Sequence, residues 1–351
     1  MSVALHIRAA GMVTAVGLDA PSSCAAMRAR LDGFRETRFV GPSGDWLVGA
    51  AVPLPRNWIG VKRMAHLAAG AIAEVLRQAP GAETEAALIL CLAEEGRPGR
   101  PVQDADAFAR ELSAILDLPP RMKTHVVAHG RPSGFVALDR ARRMLAEGAA
   151  RQVVIAGVDS YLTGPAVAHF LAENRLLTPD NANGFIPGEA AAAVLCSAES
   201  GGLRLTGLGL AREEAHIYNG RGEDGLDLPL RGDGMTAAYA RALDEAGVAL
   251  SGVEYRIADL IGEQFFFKQS TLASLRLERG RTEFQDLWSP AENLGNIGAA
   301  VVPLMLGHGL VAAAKGYAMG SPVLIEASGD DGACGAAVLH EAARAVWRRA
   351  A

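Results

Sequence analysis

Residues 151–162, RQVVIAGVDSYL, and 184–196, GFIPGEAAAAVLC, decide how this 351-residue chain is read. Val153, Val154, Ile155 and Ala156 form a short apolar run closed by Gly157, the pattern of a strand covered on both faces. The second piece reads as another strand over 190–196, entered through Gly184, Pro187 and Gly188. Asp159 and Ser160 follow the first strand, and a helical segment then runs to about Asn174. A strand that leaves through Gly-Val-Asp-Ser and returns through Pro-Gly-Glu sets polar backbone at one sheet edge, where α/β folds place their ligands.

Working outward, the chain alternates strand and helix patterns. Strands are expected over 3–9, 46–52, 85–92 and 124–128, with the glycine-bounded AAGMVTAVG as a loop. Helices are expected over 21–31, 61–77 and 104–116, the last two from apolar spacing such as Met64, Leu67, Ala68, Ile72 and Phe108, Leu112, Leu116. HGRPSG (129–134) makes a sharp turn, with Ser133 as the expected cap of a helix to Leu145. The second part repeats the alternation. It has strands over 203–210, 255–261, 282–287, 322–328 and 334–340, helices over 235–246 and 265–277, and a long apolar helix opening at PAENLGNIGAA. Residues 218–234, rich in glycine and charge, read as an exposed loop without a phosphate-binding motif. Strands separated by helices imply largely parallel, covered sheets, and a division near residue 200 gives two parts, 1–200 and 201–351.

Composition narrows the function. Half the residues are hydrophobic, enough for a large core. The net charge of -5 offers no basic footprint for nucleic acid. Four cysteines, Cys24, Cys91, Cys196 and Cys334, include no CxxC pair, so neither a zinc site nor a disulfide framework is indicated. MSVALHIRAAG lacks the form of a signal peptide, and no apolar run approaches the ~20 residues of a membrane span. A reduced, cytoplasmic setting, with no metal and no cofactor, is the expectation.

Several stretches together resemble the β-ketoacyl synthase family of the thiolase superfamily. Gly157-Val158-Asp159 is similar to the family's GG.(E/D) strand end, and GFIPGEAA to its G(F/V)..GEGA. ALHIRAAGMVTAVG, ENLGNIGAAVVPLML and EASGDDGACGAAVL are similar to V.ITG.G..T..G, K...GH..GAAG and NSFGFGGTNA.LVL. The resemblance covers essentially the whole chain. It implies the thiolase-like α/β fold: two pseudo-related βαβαβαββ halves in a five-layered α-β-α-β-α architecture.

The same resemblance implies a changed site. Condensation in the family needs a cysteine thiolate at a helix start, where the helix lowers the thiol pKa, and two imidazoles that stabilise an oxyanion. The nucleophile position falls on Arg131, a permanent cation. The first histidine position falls on Ile261, the second on Asn296, the lysine on about Ala291, and the gating aromatic on Asp330. Glu263 is expected either as a base or as the ion-pair partner of Arg131, and Cys334 is the one thiol to watch near the pocket. His125 and His129 lie near the nucleophile turn and read as a strand and a solvated turn histidine. The pocket candidates are therefore Arg131, Glu263, Asn296, Asp330 and Cys334. No GxSxG or hydrolase triad is present.

Three functions are compatible with these residues. The first is a degenerate synthase homologue that acts by binding, as a partner subunit, a carrier-protein docking surface or an adaptor, including a secretion-system role. The second is an active acyltransferase, a 3-oxoacyl-ACP synthase with displaced groups. The third is a sensor that holds an anionic acyl or pantetheine head group on Arg131. The resemblance further implies a homodimer, or a heterodimer with a related synthase, paired edge to edge through residues 152–156, an apolar run without a gatekeeper charge.

Overall fold

In the computed structural model the residues described are 4–120, 122–219, 227–278, 280 and 284–342. The chain begins with β1 (Leu5–Val13), α1 (Ala20–Arg28), the hairpin β2 (Arg35–Val40) and β3 (Trp46–Gly49), α2 (Gly60–Gln78) and α3 (Ala82–Glu85). It continues with β4 (Ala86–Cys91), α4 (Ala105–Leu116), β5 (Thr124–Val127), α5 (Ser133–Ala146), β6 (Gln152–Ser160), α6 (Gly164–Ala172) and β7 (Glu189–Ser197). Then come β8 (Leu203–Arg212), α7 (Asp233–Ala246), β9 (Tyr255–Ala258), α8 (Gln264–Leu277) and β10 (Asp286–Trp288). The described chain closes with α9 (Ala291–Leu294), α10 (Val301–Lys315), β11 (Val323–Ser328) and β12 (Ala333–Glu341).

Ten strands join in the order β10-β9-β11-β12-β8-β1-β7-β6-β4-β5. The junction at the middle is short: Leu5, His6 and Ile7 of β1 face Leu205, Arg204 and Leu203 of β8. Outward from it, each side counts its own strands in the same order, first, fifth, fourth, second, third. That repeat is the pseudo-symmetry of the thiolase-like fold. The sheet is mixed rather than largely parallel, because β7 and β12 run antiparallel to both of their neighbours. A strand that re-enters directly from a loop needs no crossover helix, so the alternation of patterns concealed this reversal.

Strand side chains alternate between two cores, as the period of two requires. From β6, Val153 and Ile155 enter the central core, while Val154, Ala156 and Val158 enter the outer core under α2 and α4. From β12, Ala337 and Leu339 face the centre, while Cys334, Ala336 and Val338 face α7. The central layer is α5 and α10, which touch strands on both sides of the junction. Five layers result: α2 and α4, sheet, α5 and α10, sheet, α7 and α8. The 18 residues Gly298–Lys315 are apolar enough for a membrane span, yet 78% of the stretch is buried. An all-round apolar helix is what a helix packed between two sheets must be.

Several expectations change. β1 runs on to Val13, through residues read as a loop. A Cβ on Gly11 would stand 2.1 Å from the Ala71 carbonyl oxygen, so the glycine there admits α2 rather than breaking the strand. Ser133 does not cap α5: the cap is Pro132, while Ser133 Oγ accepts from His129 N at 2.9 Å. The helix expected from PAENLGNIGAA is broken into α9, a turn and α10. Residues 220–226 of the expected 218–234 loop, and 282–283 of the expected 282–287 strand, lie outside the described residues. Residues 152–156 are not an edge, because β6 pairs with β4 on one side and β7 on the other. A uniformly apolar run marks a strand covered by its own sheet as readily as one covered by a partner. The outermost strands are β5 and β10.

Candidate functional site: a buried arginine and carboxylate cluster

Four loops converge beyond the carboxyl ends of β5, β9 and β11, where open α/β sheets present their clefts. Arg131 comes from the turn that leads into α5, and Asp259 from just past β9. Asp330 comes from the turn between β11 and β12, and Glu263 from the residue before α8. Arg175, which the sequence reading did not single out, follows α6.

Arg131 is 1% exposed. Its two terminal nitrogens donate to Asp259 Oδ2 at 3.2 Å and Asp330 Oδ1 at 2.9 Å, and the guanidinium lies 4.0 Å from the centre of the Phe266 ring. Arg175 grips Glu263 bidentately, Nε to Oε1 at 2.7 Å and Nη2 to Oε2 at 2.6 Å. It also donates to Asp330 Oδ2 at 2.6 Å and to the Tyr218 hydroxyl. Asp330 thus bridges the two guanidiniums. The expected Glu263–Arg131 pair is not formed; the partner of Glu263 is Arg175.

Protonation follows from this geometry. Burial pushes the Asp330 carboxyl up, but Arg175 and Arg131 outweigh it and hold the group at about 2. For Asp259 burial wins over Arg131, and for Glu263 over Arg175, so both carboxyls lie above the ordinary range. Burial opposes the charge on Arg131, but Asp259 and Asp330 keep it a cation. Arg131 Nε alone on that side chain lacks a partner among the described residues. Glu94 leans over the same turn: a Cβ on Gly130 would meet its Oε1 at 2.1 Å.

The other predicted residues separate from this cluster. Ile261 is buried in an apolar wall with Tyr161, Phe170, Phe185 and Phe266. Asn296 is buried, and its Oδ1 accepts from Gly298 N at 3.1 Å, turned into its own loop. That loop is tied to β6, where Asp159 accepts from Ala299 N at 3.0 Å and pairs with the buried Arg97. A Cβ on Gly298 would stand 1.9 Å from Asp159 Oδ2, and its φ of 54° also favours glycine. Cys334 does not line the cluster. It faces the outer core, with Sγ 3.7 Å from Gln269 Nε2. All four thiols are buried, and burial raises their pKa values, Cys24 and Cys196 to about 12. His125 Nδ1 accepts from Arg140 Nη2 at 2.7 Å.

Arg175 and Asp259 were legible only in part. Asp259 interrupts an apolar strand end, a buried-polar signal. Arg175, in ENRLL, is indistinguishable by pattern from a surface arginine.

With that geometry in place, comparison with known proteins is informative. The β-ketoacyl synthase N-terminal domain matches residues 126–200, which run from β5 through β7. No curated protein matches the chain by sequence. Solved structures do share the fold. A ketosynthase in complex with its chain length factor, from Xenorhabdus doucetiae, has 13% identity and a TM-score of 0.74, with 97% of this chain and 98% of that one covered. A β-ketoacyl synthase from Burkholderia phymatum has 16% identity and a TM-score of 0.74, covering 96% and 99%. A type II acyl-carrier protein complex with its ketosynthase reaches a TM-score of 0.78 at 14% identity, covering 97% and 100%. The fold is shared from end to end with these ketosynthases, and residues 126–200 match the N-terminal domain of the β-ketoacyl synthases: the chain has the thiolase-like fold.

Proposed function

We propose that this chain is a non-condensing homologue of the β-ketoacyl synthases that acts by binding, as the partner of a related synthase or of an acyl carrier protein. The observation that carries the reading is Arg131. In the turn two residues before α5, where the resemblance puts the acyl-accepting cysteine, stands a buried guanidinium held by two carboxylates. It can neither attack a thioester nor leave its site without stranding Asp259. Asp330, held at about 2, is a poor base at neutral pH, and both oxygens of Glu263 are engaged.

The active reading with displaced groups needs an accessible thiolate, and burial disfavours one at each cysteine. The anion-sensor reading needs an accessible guanidinium, whereas Arg131 is buried and both of its terminal nitrogens already serve Asp259 and Asp330. Structural neighbours described as complexes with a chain length factor or an acyl-carrier protein support a binding role.

Incubating the intact protein with acetyl and malonyl thioesters of coenzyme A and of a carrier protein is expected to leave its mass unchanged. A stoichiometric acyl adduct at any residue overturns the proposal. Pairing through an exposed sheet edge further predicts that the isolated chain scatters as two copies of 36.6 kDa. A monodisperse monomer removes self-pairing and leaves only pairing with a different chain.

A further inference from the structure

Between the end of α1, the edge strand β10 and α10 lies a cavity of about 350 Å³, lined by none of the cluster residues. One wall is aromatic. Trp288 stands 5.0 Å from His308 and 6.2 Å from Tyr317, both at an interplanar angle of 29°. Arg28 lies over the Tyr317 ring at 4.6 Å, and Arg30 completes the rim. Glu292 is the sole carboxylate among the lining residues.

Three details distinguish this cavity from a packing gap. His308 is the one polar side chain of α10 before its terminal Lys315. Its ring is buried, and Nδ1 has no hydrogen-bond partner among the described residues. The Tyr317 hydroxyl is likewise buried, with only the weakly hydrogen-bonding Cys24 thiol beside it. Buried polar groups are rarely left unmet, and each that is asks for an explanation. Arg30 has a φ of 55° just past the end of α1. That left-handed position belongs by preference to glycine, and here it carries a guanidinium at the mouth of the cavity.

We propose that this cavity binds a small aromatic carboxylate, with its ring against Trp288, His308 and Tyr317 and its carboxylate on Arg28 and Arg30. Aromatic walls favour a planar ring in offset or tilted contact. Two guanidiniums against one carboxylate favour an anion over a cation, and a guanidinium binds a carboxylate in a two-pronged geometry. Burial lowers His308 to about 4, so its ring is neutral at neutral pH and offers one donor and one acceptor nitrogen. The volume lies at the small end of ligand pockets, which sets the size at a single ring with a short side chain. The inference does not depend on the binding role proposed above.

Calorimetric titration of the intact protein tests it, with phenylacetate as the probe and phenylacetamide and phenethylamine as neutral and cationic counterparts. Phenylacetate is expected to bind saturably and about tenfold or more tighter than either counterpart, the worth of one charge-assisted contact. Arg30→Gly relieves the left-handed strain, so the fold is kept, and phenylacetate should bind it about tenfold more weakly. His308→Leu, checked by thermal melting, should weaken binding as well. No saturable heat with phenylacetate, equal binding of all three probes, or an unchanged affinity in Arg30→Gly would each overturn the proposal.

Discussion

Replacing Arg131 with alanine will destabilise the protein by about 3–5 kcal/mol at neutral pH, the cost of removing one partner from a buried ion pair. The loss follows from what stays behind. Asp259 is nearly inaccessible, and Arg131 is the only guanidinium paired with it among the described residues. Without that cation, burial and the neighbouring Asp330 charge act on the Asp259 carboxyl unopposed and push it higher still. At neutral pH the variant must then either bury a bare carboxylate or bind a proton. The defect is therefore smaller at pH 5 than at pH 7.5, because protonation in the folded state is easier at the lower pH. Arg131→Met should fare little better: it restores volume and leaves Asp259 stranded. Arg131→Met combined with Asp259→Leu should recover most of the loss, since an apolar replacement of a buried ion pair is often neutral. Asp330 keeps Arg175 in that combination. Urea unfolding across this pH range measures all three variants. A parent and an Arg131→Ala variant of equal stability would show that the cluster is held by its surroundings rather than by its charges.

How much of this was legible beforehand depends on which residues carry local signals. The two sheet-forming stretches around Val153 and Val194 announced themselves, because strands buried on both faces must be uniformly apolar. The same uniformity hid which strand was outermost. Val153 to Ala156 read as an edge awaiting a partner, yet β4 and β7 flank it within the same chain. The glycine at Gly11 read as a break, whereas β1 passes straight through and the missing side chain admits the Ala71 carbonyl. For the cluster, position in the resemblance indicated Arg131, Glu263 and Asp330, and the structure brings all three together. It could not indicate who holds whom. Arg175 lies 44 residues from Arg131 in sequence and meets Asp330 only because α6 ends beside the turn between β11 and β12. Ion-pair partners fixed by tertiary return leave no periodic trace. Cys334 shows the converse: its neighbours in sequence pointed to the pocket, but strand alternation turns its side chain to the outer core, with Ala336 and Val338.

The same alternation aims Glu326 of β11 away from the central core, and its replacement by glutamine will stabilise the protein at alkaline pH. Glu326 is 2% exposed. Its Oε1 accepts from the Ser270 hydroxyl at 2.5 Å, and Oε2 has no partner among the described residues. No cation offsets its burial, which pushes the carboxyl up to about 8. In the unfolded chain the group titrates near 4.5. Below about pH 4.5 it is protonated in both states and has no effect on the pH dependence. Between pH 4.5 and 8 the folded state retains a proton that the unfolded state has released, so stability falls as pH rises. Above pH 8 the folded state also ionises, and the penalty stops growing. A gap of this size corresponds to about 3–5 kcal/mol over the window. Glutamine keeps the shape and the acceptor for Ser270 but cannot ionise, so Glu326→Gln should lose this component of the pH dependence. Parent and variant should be close in stability at pH 4.5 and separate progressively toward pH 8, with the variant higher. Denaturant titrations at pH 4.5, 6 and 8 measure the difference directly and cancel the titrations of Asp259 and Glu263, which both proteins share. Parallel stability curves for the two would mean that Glu326 ionises in the folded protein with an ordinary pKa, and that something other than Ser270 solvates it.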